Sequence, residues 1–96
     1  MKGTLHKPLF ELGHIVGTPD AMQALTRARQ KPGEFLWRHA TGDWGELNPA
    51  DWAENNRSLE DDLELRSVYV LQSGAKIVIV TAADRSETTI LLPEEY

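Results

Sequence analysis

Arg66-Ser67-Val68-Tyr69-Val70-Leu71, Lys76-Ile77-Val78-Ile79-Val80-Thr81 and Thr88-Thr89-Ile90-Leu91-Leu92 are the runs on which the fold turns. Each is short and rich in the β-branched and aromatic side chains that suit a pleated, half-buried surface. Gln72-Ser73-Gly74-Ala75 between the first two reads as a hairpin turn with its glycine. Residues 82–87 form a polar connection to the third run, and Pro93 ends that run by removing an amide donor. Strands adjacent in sequence usually pair. The stretch therefore predicts an antiparallel three-stranded meander. Its middle strand, β-branched from Ile77 through Val80, is expected to be covered on both faces.

Working back toward the N-terminus, the period changes from two to that of a helix. Asn48-Pro49-Ala50-Asp51 is a helix start, with Asn48 as cap and Pro49 in the first position. Trp52, Asn56, Leu59 and Leu63 follow at 4-3-4 spacing and predict one amphipathic face. Pro32-Gly33-Glu34 opens a two-turn helix with Phe35, Leu36 and His39 on one side, ending near Ala40. Thr18-Pro19-Asp20 opens another, with Met22, Leu25 and Ala28 three residues apart. Leu9 to Val16 reads as a short strand or extended arm that can join a sheet edge. Helices followed by strands point to an α+β fold, with two or three short helices packed on one face of the meander.

With 96 residues, the chain is expected to form a single domain, 1–96. It contains no cysteine, which excludes a disulfide scaffold, a thiolate metal site and a cysteine nucleophile. No apolar run approaches the roughly 20 residues that span a bilayer. Met1 to Pro8 lacks the apolar core of a signal peptide, so a cytoplasmic protein with no membrane attachment is expected. Charge is uneven within a net of −5: residues 1–40 carry six basic and three acidic side chains, residues 41–96 four and twelve. Between Asp43 and Glu64, eight carboxylates face Arg57 alone. Such a face repels phosphate, and serves either solubility or attraction of a basic partner.

Three segments together carry a resemblance: Ile15-Val16-Gly17-Thr18-Pro19, Arg38-His39-Ala40-Thr41-Gly42-Asp43-Trp44-Gly45, and the stretch from Thr81-Ala82-Ala83-Asp84-Arg85-Ser86 to Leu92-Pro93-Glu94-Glu95-Tyr96. The chain resembles a family of small uncharacterised bacterial proteins found on plasmids and other accessory elements. It departs from that pattern at Lys31, where a capping residue is usual, and at Trp37. The resemblance implies an accessory bacterial protein and brings no activity, cofactor or catalytic residue with it.

Five residues are the candidate contacts: His39, Asp43, Trp44, Asp84 and Arg85. His39 and Asp43 are four apart, the arrangement of a carboxylate-oriented imidazole acting as base or ligand. The alternative is an imidazole closing a helix and a carboxylate tying down the turn. Trp44 between two glycines is either an anchor on the core or an exposed recognition group. Trp37 lies partly off the Phe35–His39 stripe, which leaves it open to solvent. Asn56 in the apolar stripe requires a hydrogen-bond partner. Asp84-Arg85-Ser86 lies in a strand connection, where binding residues gather, or simply fixes its turn.

The three histidines, His6, His14 and His39, have no metal-site spacing, and no phosphate loop or nucleophile elbow is present. No cofactor and no metal are therefore expected. The first expectation is a non-enzymatic protein acting by contact with a protein partner or by self-association. A second is a nucleic-acid-linked role, through Arg27, Arg29, Lys31 and Arg38 or through an acidic helix imitating phosphate in an anti-defence factor against restriction- or CRISPR-type systems. A small hydrolytic enzyme built on His14, His39, Asp43 and Asp84 is the third.

Overall fold

The computed structural model describes residues 7–96; His6 and the segment before it lie outside the described residues. In chain order the elements are β1 (His14–Gly17), α1 (Pro19–Ala28), α2 (Pro32–Ala40), α3 (Pro49–Glu60), β2 (Leu65–Val70), β3 (Lys76–Thr81) and β4 (Glu87–Leu91), closed by a 3-10 turn at Pro93–Glu95. The fold is α+β. The strands form one sheet in the order β1-β4-β3-β2. β2, β3 and β4 make the antiparallel meander, with Ser67 opposite Ile79 and Ile79 opposite Ile90. The first strand does join an edge, and it does so parallel to β4, with Ile15 opposite Thr88.

The helix starts follow the local chemistry. Thr18 caps α1 by accepting from the Ala21 amide, and Asn48 caps α3 by accepting from the Asp51 amide at 2.8 Å. Lys31, which has no side chain suited to capping, leaves α2 with no side-chain cap. Ala21, Leu25 and Ala28 of α1 and Phe35 of α2 are buried against Tyr69, Leu71, Ile77, Ile79 and Ile90 of the sheet and its margin.

Two expectations change here. The helical stripe on α3 is rotated: Asn55 and Ser58 are its buried residues, Trp52 and Leu59 are half-buried, and Asn56 and Leu63 are exposed. The reason is that α3 serves the margin of the sheet. Asn55 donates to the Arg66 carbonyl and accepts from the Arg66 amide, both at 3.0 Å, replacing a neighbouring strand. Cover on β3 is also unequal. Ile77, Ile79 and Thr81 are fully buried, whereas on the opposite face Val78 is buried and Val80 only half-buried. Val78 lies between Val68 and Leu91 in the ladder, and the Pro93–Glu95 turn packs on the same strand.

Before β1, residues 7–13 form a strap with no regular structure. The Leu9 amide donates to the Ala40 carbonyl at 2.8 Å and the His14 amide to the Ser86 carbonyl at 2.9 Å. The strap thus crosses from the end of α2 to the start of β4.

Candidate functional site: an apolar groove beside a free sheet edge

Beneath the strap runs a chain of buried polar side chains centred on His39. Nδ1 of its ring meets the Ser67 hydroxyl, and Nε2 meets the Thr81 hydroxyl at 2.9 Å. Thr81 and Thr88 hydroxyls are 2.7 Å apart, and Thr88 donates to the Leu12 carbonyl at 2.7 Å. A hydroxyl has one proton to give. Thr88 gives its proton to Leu12, so Thr81 must donate to Thr88. Thr81 then accepts from Nε2–H, and Ser67 donates to Nδ1. The carbonyl end thus fixes both the direction of the chain and the neutral tautomer of the ring. Burial, reinforced by the Arg85 cation, pushes the imidazole down to about 3.

His39 therefore ends α2 with its ring turned inward and uncharged. Asp43 is not its partner. The Asp43 carboxylate pairs with Arg38 at 2.7 Å and accepts from the Gly45 amide; the Arg38 hydrogen bond, first, and the Gly45 amide hold it below the usual carboxylate range. Arg38 also lies over the Tyr69 ring, 4.6 Å from its centre. Of the basic cluster, this leaves Arg27, Arg29 and Lys31 exposed.

Trp44 is fully buried, so it has no surface to offer a partner. Its indole N–H donates to Asn56 Oδ1 at 2.8 Å, and its ring stands edge-on to His39. Gly45 is indispensable to this bend: its φ is +73, and a Cβ there would lie 2.0 Å from the Val68 carbonyl oxygen. Trp44 and Glu46 use that closeness to bond the Val68 backbone on the outer side of β2.

The Asp84–Arg85 pair is divided. Asp84 is exposed and closes its own turn by accepting from the Ser86 amide and hydroxyl, the hydroxyl first lowering its carboxyl. Arg85 donates to the Leu63 carbonyl at 2.6 Å and to the Ser58 carbonyl at the end of α3, and its guanidinium lies 5.6 Å from the centre of the Phe10 ring. His14 is exposed on β1, away from the buried ring of His39. Among the described residues, no group of three or more His, Asp or Glu is placed to hold a metal ion, and no helix is long and apolar enough to cross a membrane.

No family model, curated protein or solved structure matches the chain.

The strap and α2 enclose a groove of about 560 Å³, lined by Pro8, Phe10, Glu11, Leu12, Gly13, Ile15, Gly33, Leu36, Trp37 and Ala40. Its lining is mostly apolar, and Trp37 and Ile15 are 48% and 46% exposed. Along it runs β1, the terminal strand of the sheet among the described residues. The ladder of β1 with β4 is flanked by the His14 amide to Ser86 at one end and the Thr18 amide to Ile90 at the other, so that the even-numbered residues face β4. Alternation in a strand then turns the N–H and C=O groups of Ile15 and Gly17 away from the sheet.

Of the five candidate contacts, none lines this groove. Sequence reasoning missed Ile15, Gly33 and Leu36, because an apolar residue in a strand or helix reads as core until its neighbours are known. Trp37 did carry a signal, since it stands off the buried stripe of its own helix.

Proposed function

We propose that the chain is a non-enzymatic protein-interaction module that takes an extended segment of a protein partner as an added strand on β1. The observation that carries this reading is the backbone of Ile15 and Gly17, unpaired among the described residues, beside an apolar groove. Main-chain bonding to such an edge gives affinity, and a pocket for alternate side chains gives selectivity. Trp37, half-exposed at the groove, has the character of a contact anchor. An accessory bacterial role, which the resemblance implies, accords with a small module acting through contact.

The test is a selection of random decapeptides against the wild type, repeated with Gly33→Arg. A Cβ at Gly33 meets nothing within 4 Å, so the arginine fills groove space without disturbing the core. Selected peptides are expected to bind Gly33→Arg at least tenfold more weakly, and to fail when alternate main-chain nitrogens are methylated. Peptides indifferent to both changes, or no bound peptide at all, would refute strand addition.

A further inference from the structure

The two margins of the sheet are treated very differently. On the β2 side, Asn55 satisfies both backbone groups of Arg66, while Trp44 and Glu46 satisfy those of Val68. On the β1 side, residues 14–17 contain no lysine, proline or carboxylate, the features that usually protect an exposed margin. Ile15 and Val16 are both exposed there. Three residues thus cover the β2 edge at Arg66 and Val68, whereas among the described residues nothing covers the β1 edge.

We infer that the strand received by β1 is β1 of a second copy of the chain, antiparallel and centred on Val16, so that two sheets join into one of eight strands. This rests on the reading of β1 as a docking edge and names its occupant.

Register supports a second copy. Pairing about Val16 sets Ile15 opposite Gly17 of the second copy, over which that copy's Met22 side chain lies, so that Ile15 meets an apolar neighbour there. The two Val16 side chains meet at the twofold axis on the face away from the helices, an apolar cross-strand pair.

The distribution of charge argues the same way. Each chain carries a net −5, and the acidic run from Asp43 to Glu64 includes α3, which packs against β2 at the far margin. Joining through β1 carries the two acidic runs to opposite ends of the combined sheet. Any approach through β2 would bring them together and be repelled. A basic partner would be drawn to that acidic margin and away from β1.

The chain has no cysteine, so Val16→Cys introduces its sole thiol. In the inferred pair the two Cβ atoms stand about 5 Å apart, within reach of a disulfide after slight adjustment. Oxidation of Val16→Cys with diamide is expected to give a covalent dimer at least tenfold faster than oxidation of Val70→Cys, an equally exposed position on the opposite margin. Sedimentation equilibrium of the wild type is expected to show mass doubling with concentration. Val16→Lys, which apposes two cations, is expected to stay monomeric with an unchanged circular dichroism spectrum. A wild type monomeric to millimolar concentration would overturn the second copy while leaving peptide docking to its own selection. A dimer that persists in Val16→Lys, or equal cross-linking of the two cysteine variants, would place the contact elsewhere and overturn the inference as well.

Discussion

The ring of His39 sits among Ser67, Thr81 and Thr88, whose three hydroxyl protons are all committed along a path that ends on Leu12. A protonated ring would donate from both nitrogens and leave the Ser67 proton without its acceptor. The unfolded chain has no such restriction and takes up a proton near the ordinary histidine value of 6.5, whereas the folded ring resists to about 3. The contribution is thus complete above pH 6.5 and is lost as pH falls from there toward 3, by about 1.4 kcal/mol per pH unit. Between pH 7 and pH 5 the wild type should lose about 2 kcal/mol more than His39→Phe, which cannot titrate. Urea unfolding of both proteins at the two pH values measures this. Equal losses would show that the folded ring accepts a proton after all.

At the scale of elements, α3 shows how a helix can support a sheet without facing it. Replacing Asn55 with alanine strips the Arg66 amide and carbonyl of their partners at a partly buried position, and should cost about 1–3 kcal/mol. Asn48→Ala removes only the cap of the same helix and should cost about 1 kcal/mol. Thermal unfolding of the two variants compares them, and a smaller loss for Asn55→Ala would show that water replaces the amide freely. The caps themselves were legible in the sequence, because Thr18-Pro19 and Asn48-Pro49 act within a single turn. So was the meander, whose strands are neighbours in sequence. The face of α3 was not, because Asn55 answers to a backbone eleven residues away that a helical period does not reveal. Nor was the site. His39 and Asp43 stand one turn apart in sequence, yet the ring turns inward to Thr81 while the carboxylate turns to Arg38. The groove exists only where a strap that precedes β1 comes to rest beside α2.

For the whole molecule, the sheet order sets a gradient of stability. β3 is paired along its whole length with β2 and from Val78 to Thr81 with β4, and among the described residues β1 is held on one side only. Amide exchange should therefore be slowest in Ile77–Val80 and fastest, among the strands, at Ile15 and Gly17 in dilute solution. Slow exchange at Ile15 in a dilute monomer would mean that its N–H is already bonded. The union of the first strand with β4 also bears on how the protein comes off the ribosome. Thr18, directly after β1, bonds Glu95 across 77 residues of sequence. At the usual pace of translation that separation takes roughly 4–15 s to synthesise. Through that interval β1 has no partner within its own chain, and an apolar segment with a bare backbone is left to chaperones or to neighbouring nascent chains. A message truncated before the codon for Glu87 would yield a polypeptide that never shelters it.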